Sequence, residues 1–242
     1  MVKKFIKWAI VALLAIVILG FGAFWLWANA TYGPSEQLQQ LVDVDSVLQD
    51  DVVVLEPQDA NGVGIIIYPG AKVEPTAYSY YGQLLMEQGY TVVIPEMRFN
   101  FALFSAERAE QYMKQFDSVD NWVVGGHSLG GVAAAMFAAE HEVDGLLFLG
   151  SYPSASSDLS KSQLPVLSLY AQFDGLTLVS DIEDSKALLP ASASFVEIKG
   201  GNHAQFGMYG EQKGDGAATI SALDQQEQMV QETLAWLQMN IQ

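Results

Sequence analysis

Three histidines, no cysteine and one Gly-x-Ser-x-Gly run restrict the covalent chemistry open to this chain. The run is Gly126-His127-Ser128-Leu129-Gly130. A serine hydroxyl is a poor nucleophile near neutral pH. It becomes a useful one when an imidazole takes its proton and a carboxylate holds the imidazole. The glycines suit a sharp strand-to-helix turn in which the serine takes a strained backbone conformation and the chain folds back close beside it. At the head of the following helix, backbone N–H groups and the helix dipole favour a developing negative charge. In a chain with 21 glycines such a run is weak evidence by itself, so its context decides. Asn121 to Val124 is a short run rich in Val and Trp, which reads as a buried strand. Val132 to Glu140 is Ala-rich and reads as a helix packed on a sheet.

The partners of Ser128 are sought among few residues. On this kind of strand–turn–helix unit they follow in the order Ser, Asp or Glu, His, each at the carboxyl end of a later strand. His127 lies inside the turn and reads as a packing residue, and His141 closes the helix in Glu140-His-Glu142. His203 follows a strand in the Gly-bounded loop Gly200-Gly-Asn-His-Ala-Gln-Phe-Gly207, and it is the expected base. Asp174 ends Pro165-Val-Leu-Ser-Leu-Tyr-Ala-Gln-Phe-Asp174-Gly175, directly after a buried strand, and is the expected acid. Asp144 begins a strand, at the wrong edge. Asp181, Glu183 and Asp184 belong to a helix and read as a solvated face or N-cap cluster. Acyl transfer also needs two N–H donors for the oxyanion. The backbone of Leu129 supplies one, and the loop Tyr68-Pro-Gly-Ala-Lys72 the other, with Ala71 first and Lys72 next.

The elements that must carry these residues alternate. Asp51 to Glu56 and Val63 to Tyr68 read as strands joined by a turn at Pro57 to Gly62. Pro75 to Gln88 reads as a helix stopped by Gly89, and Tyr90 to Pro95 as a strand. Ala106 to Phe116 is helical by its pattern. Asp144 to Gly150, Pro165 to Ala171 and Ser194 to Lys199 are strands; Asp181 to Leu189 and Asp224 to Met239 are helices. That rhythm predicts an α/β fold, a mostly parallel sheet with helices on both faces. Only Ser151 to Leu164 separates two of the strands, enough for a loop and too short for a cap domain, so a shallow, open site is expected. Tyr152, Phe99, Phe101 and the segment Phe206 to Ala218 are candidates to line it.

Tyr68-Pro-Gly-Ala71, Gly125-Gly-His-Ser-Leu-Gly-Gly131, Phe173-Asp-Gly175 and Gly201-Asn-His203 together resemble the α/β-hydrolase superfamily. The closest likeness is to its small, capless bacterial branch related to the dienelactone hydrolases, over roughly residues 51–242. The resemblance implies an α/β-hydrolase fold, a triad of Ser128, Asp174 and His203, and an oxyanion hole of the Ala71 and Leu129 N–H groups. Dienelactone hydrolases use a cysteine nucleophile. This chain has none, so their substrate is not carried over. Pro69-Gly70 also stands where many relatives have His-Gly.

The first thirty residues are of another kind. Met1-Val-Lys-Lys-Phe-Ile-Lys7 precedes Trp8 to Ala28, which carries no charge and is long enough to cross a bilayer. Lys3, Lys4 and Lys7 place the N-terminus in the cytoplasm by the positive-inside rule, and Trp8, Trp25 and Trp27 suit the two interfaces. The chain is therefore expected to divide into a basic tip and anchor (1–30), a spacer (31–50) and an extracytoplasmic catalytic domain (51–242). Ala28-Asn29-Ala30 also fits a signal cleavage site, after which the protein would be secreted. The apolar run, however, exceeds the usual signal length. Without cysteine there is neither a lipidated N-terminal Cys nor a disulfide. Beyond the anchor stand 28 acidic residues against eight basic ones (Lys3, Lys4 and Lys7 being the other three of the 11), a formal charge of −20. This argues against nucleic acid or an anionic membrane surface as a partner of that part, since both need a basic face. No metal-ligand spacing and no cofactor loop is found.

The expected activity is hydrolysis of an acyl bond, by default a carboxylic ester in a small-molecule substrate, through an acyl-enzyme. The same residues would serve an acyltransferase. A non-catalytic binding module on the same scaffold is the alternative from a different class.

Overall fold

The computed structural model describes residues 1–241. Among them, eight strands form one sheet in the order β1-β2-β4-β3-β5-β6-β7-β8. These are β1 (Leu48–Gln49), β2 (Val52–Leu55), β3 (Val63–Tyr68), β4 (Thr91–Ile94), β5 (Asn121–His127), β6 (Gly145–Leu149), β7 (Val166–Ala171) and β8 (Ser194–Ile198). From β4 to β8 all neighbours are parallel, and β1 and β2 close one edge antiparallel. The turn at 57–62 joins β2 to β3 without making a hairpin. Strand β2 pairs with β4 instead, and β3 lies between β4 and β5.

The helices are α1 (Val2–Ala28), α2 (Glu36–Leu41), α3 (Val44–Val47), α4 (Ser79–Met86), α5 (Arg108–Met113), α6 (Leu129–Glu140), α7 (Val179–Ser185) and α8 (Ala222–Asn240). Alternation along the strands fills two cores. Ile65, Ile67, Leu147 and Leu149 face Tyr81 and Leu85 of α4 and Met229, Trp236 and Leu237 of α8. Ile66, Tyr68, Val124, Leu146 and Phe148 face Tyr112 of α5 and Ala133, Ala134 and Phe137 of α6. Both faces of the sheet are thus covered, as parallel strands require. The helix expected over 75–88 begins as a 3₁₀ turn, Pro75–Tyr78, and continues as α4 to Met86.

Residues 31–50 pack on this body. Leu38 and Val42 are buried against Met208, and β1 extends the sheet. Helix α1 stands outside both cores, and none of its most apolar 18 residues is buried by the rest of the protein. Its last turns touch the body. Ala28 is buried, its carbonyl accepts a hydrogen bond from Asn100 Nδ2 at 3.1 Å, and Trp27 stacks on Phe101.

Candidate active site

Strand β5 runs three residues further than its Val/Trp run, because Gly125 and Gly126 pair with Ile67 and Tyr68 on one side and with Leu147 and Phe148 on the other. The chain then reverses within one residue. Ser128 has φ 53° and ψ −124°, a conformation that costs on the order of 1–3 kcal/mol and persists only where its surroundings impose it. Helix α6 starts at the next residue, three earlier than its Ala-rich stretch suggests. The turn closes tightly enough to require both glycines. A Cβ on Gly130 would lie 2.1 Å from the Tyr68 carbonyl oxygen, and one on Gly126 2.4 Å from the Gly130 carbonyl carbon. Ser128 is half-buried, and its Oγ makes no hydrogen bond among the described residues.

The two other predicted side chains meet. His203 Nδ1 donates to Asp174 Oδ2 at 2.7 Å, with both side chains buried. Asp174 is held by the turn that follows it. Its Oδ1 accepts the N–H groups of Leu176 (2.9 Å) and Thr177 (2.6 Å), and Thr177 Oγ1 donates to the Gly150 carbonyl (2.9 Å). In the neutral ring, with the Nδ1 proton committed to Asp174, Nε2 is the nitrogen that carries the lone pair. It is buried and has no partner among the described residues. A buried polar atom left so calls for an explanation, and a proton acceptor awaiting its donor is one.

Beside His203 lies His127, whose ring centroid is 4.4 Å from that of His203. His127 is buried as expected, but it does more than fill space. Tyr78 Oη accepts the Gly70 N–H (2.9 Å) and shares a proton with His127 Nδ1 (2.8 Å). Donating to His127 Nδ1 gives the buried hydroxyl proton a partner while the oxygen accepts from Gly70. Burial first, and the neighbouring His203 second, push the His127 pKa well below 6.5, partly opposed by the His203 backbone. A neutral ring therefore faces His203, and a proton arriving there meets no second positive charge.

The loop after β3 carries the other expected donor. Gly70 N–H goes to Tyr78, Lys72 N–H to the Asn100 carbonyl (2.7 Å) and Val73 N–H to the Gly70 carbonyl (3.1 Å). The N–H groups of Ala71 and Leu129 have no acceptor among the described residues. Lys72, the alternative in that loop, has its N–H occupied.

Three residues that sequence reasoning missed hold the histidine loop. Asp215 Oδ1 accepts the N–H groups of Gly175 (3.1 Å), His203 (3.2 Å) and Gly216 (2.8 Å), and Oδ2 accepts that of Ala204 (2.8 Å). One carboxylate thus ties the Asp174 turn to the His203 loop. From α8, Gln225 clamps the Asn202 backbone through both amide atoms, and Gln226 donates to the Gln205 carbonyl. The signal for Asp215 was its place between Gly214 and Gly216, where small neighbours allow close backbone approach. The two glutamines are fully buried on a helix whose pattern otherwise marks them as solvated, and the sequence holds no signal for them. Of the expected lining residues, Phe99 and Phe101 are engaged with α1, and Phe206 packs behind His127. Asp144 lies at the opposite edge, accepting the Trp122 N–H, and His141 stacks on Phe137 and pairs with Glu107.

A model of the alpha/beta hydrolase family matches residues 64–227, the span that carries Ser128, Asp174 and His203. The chain belongs to the alpha/beta hydrolase family. Among solved structures of this fold, it is similar to a predicted CIB-like hydrolase from Thermoplasma acidophilum, at 16% identity and a TM-score of 0.60, covering 77% of this chain and 91% of that one. It is also similar to the esterase domain of a Rhodothermus marinus protein (13%, TM-score 0.56, 76% and 90%) and to an alpha-beta serine hydrolase homologue from Coxiella burnetii (16%, 0.57, 75% and 90%). At these identities the likeness is one of fold. No curated protein matches the chain. Within the family, the segment Ser151 to Leu164 is a loop with no helix of its own.

Proposed function

We propose that this α/β hydrolase is a serine esterase held at a membrane by α1, with its domain outside the cytoplasm. Ser128 Oγ attacks the acyl carbon while its proton passes to His203 Nε2. Asp174 holds the Nδ1–H and offsets the charge of the imidazolium without taking the proton. The N–H groups of Leu129 and Ala71 receive the oxyanion, each worth about 10²–10³ in rate. Collapse expels the alcohol, which takes the proton from His203. A water molecule, deprotonated by the same nitrogen, then releases the acid and restores Ser128.

The observation that carries this reading is the buried Asp174–His203 pair at 2.7 Å, with a partnerless Nε2 at the rim where Ser128 is held in a strained turn. An ester is the default substrate because an alkoxide leaves more readily than an amine. The resemblance to an esterase domain and to a serine hydrolase homologue is consistent with it. Retention of α1 is supported by the buried Ala28 and the Trp27–Phe101 stack, both of which cleavage near Ala30 would remove. Lys3, Lys4 and Lys7 support the orientation.

A fluorophosphonate probe tests the nucleophile. The intact protein is expected to be labelled and Ser128→Ala not, with ester turnover lower by about 10⁴–10⁶. Equal labelling of both would refute the assignment.

A further inference from the structure

The rim that holds Ser128 is edged with uncovered apolar side chains on both sides. Beyond β4, Leu103 and Phe104 are 41% and 59% exposed. Beyond β7, Phe173, Leu176, Leu178 and Val179 are 37–50% exposed and flank Asp174. In the sheet order β4-β3-β5-β6-β7, these two patches bracket the strand that leads into Ser128.

The first patch is also where α1 docks. Phe99 meets Phe24 edge-on, with ring centroids 5.7 Å apart, and Phe21 at 6.4 Å. Phe104 in turn packs against Phe99 at 5.9 Å. Phe21 lies seven residues before Ala28, so at 1.5 Å per residue Phe99 reaches about 10 Å back along the helix from its end. The uncharged stretch Trp8 to Ala28 is about 31 Å long, close to the ~30 Å hydrocarbon thickness of a bilayer. With that stretch spanning, Phe99 and Phe104 lie at the headgroup–acyl boundary, where interfacial apolar faces bury themselves about 5–10 Å deep. Two cations stand at the same junction in an otherwise acidic domain. Lys72 Nζ is 4.7 Å over the Trp27 ring, and the Arg98 guanidinium is 5.2 Å over Phe99. Basic and aromatic side chains together suit a lipid headgroup layer.

This junction is bonded into the site. Lys72 N–H donates to the Asn100 carbonyl, and Asn100 Nδ2 to the Ala28 carbonyl. Tyr32, four residues beyond the helix, donates to the Lys72 carbonyl and accepts from Glu74 N–H. Phe99 and Asn100 hold φ near +58°, unusual for an aromatic residue, to make these contacts.

The geometry points to a catalytic rim that rests on the bilayer spanned by α1 and takes its ester from that bilayer: an acyl ester of a membrane lipid, its chain entering between the two apolar patches. The inference rests on the anchored-esterase reading above and adds the membrane's own lipid as substrate class.

The chain has no native cysteine, so single cysteines report position cleanly. Full-length Leu14→Cys, Phe104→Cys, Leu178→Cys and Lys114→Cys proteins, each bearing a fluorophore, are reconstituted in phosphatidylcholine vesicles containing nitroxide lipids. Labels at 104 and 178 are expected to be quenched by nitroxides near the headgroup, the label at 14 by deep ones, and the label at 114 by neither. In vesicles carrying diacylglycerol, the Phe104→Asp/Leu178→Asp protein is expected to lose about tenfold or more of lipid turnover, with p-nitrophenyl acetate hydrolysis unchanged. A quenched label at 14 with 104 and 178 no more quenched than 114 overturns the inference and leaves the anchor standing. Equal loss on both esters, or none on the lipid, also overturns it, as does self-quenching at 104 that marks a second copy over the patch. An unquenched label at 14 refutes the anchor itself. Failure to hydrolyse p-nitrophenyl acetate, with no fluorophosphonate labelling, refutes the esterase.

Discussion

Asp215 shows how one side chain can hold two distant stretches of backbone together. Its carboxylate spans the turn after Asp174 and the loop of His203, accepting four N–H bonds from them and from its own loop. Charge-assisted bonds of this kind are each worth roughly 1.5–3 kcal/mol. Asp215→Ala is expected to slow fluorophosphonate labelling of Ser128 by about 10–100-fold. Asp215→Asn, which keeps the oxygen that three of the donors use, should recover most of the rate. Equal rates in Asp215→Ala and the parent would remove Asp215 from the machinery. His127 gives a pH signature. Its folded pKa lies well below 6.5, so above that pH both folded and unfolded forms are neutral and nothing is gained. Below about pH 6.5 the unfolded chain takes up a proton that the folded one refuses. Stability then falls with falling pH by up to about 1.4 kcal/mol per unit. Urea unfolding midpoints between pH 7.5 and 5.5 are expected to show this slope, and His127→Asn to flatten it. An unchanged slope in the variant would assign it to other groups.

At the scale of elements, the strand–turn–helix unit around Ser128 depends on backbone packing. Strand β3 passes so close to the head of α6 that the Tyr68 carbonyl leaves no room for a methyl group at residue 130. Gly130→Ala must push β3 and α6 apart, at a cost of about 2–4 kcal/mol. The same shift carries Ala71 away from Leu129. Thermal unfolding is expected to drop by several degrees, with esterase activity lost at temperatures where the variant is still folded. A variant as active and as stable as the parent would mean that the two elements are not held as tightly as their contacts imply. On the opposite core face, Tyr78 links the loop after β3 to β5 through Gly70 and His127, so the two proposed oxyanion donors are set by elements that share one hydroxyl.

For the whole molecule, the N-terminal helix does more than project from the body. It contributes to neither of the two large cores, so a fragment starting at Thr31 is expected to fold. That fragment lacks the Ala28 carbonyl that fixes Asn100 and the Trp27 ring against Phe101 and Lys72. Amide exchange at Lys72 should therefore quicken, and kcat/KM on a soluble ester should fall by about tenfold, or about 1.4 kcal/mol. Identical exchange and turnover in fragment and full chain would show the helix uncoupled from the site.

How far the chain could be read from its residues follows from the range of the interactions involved. Buried parallel strands, the turn around Ser128, and the order Ser128, Asp174, His203 leave local marks: apolar runs, obligatory glycines, an acid and a histidine each just after a strand. The uncharged stretch of the first thirty residues is equally local. Strand order is another matter, since β2 and β3 are joined by a short turn and yet are not neighbours. Choosing β4 as the partner of β2 is a decision of the assembled sheet. Asp215, Gln225 and Gln226 act through backbone groups ten to forty residues away, and a side chain aimed at a distant amide leaves no trace in its own neighbourhood. The docking of α1 on Phe99 and Phe101 likewise exists only once the rim is built, because those rings look the same in sequence whether they line a pocket, fill a core or meet a long apolar helix. The sequence by itself determined which groups are candidates for chemistry and which segments are strands, helices or a long apolar stretch. Tertiary structure alone decided what holds those groups in place and where α1 rests against the rim, because both depend on contacts between segments far apart in the chain.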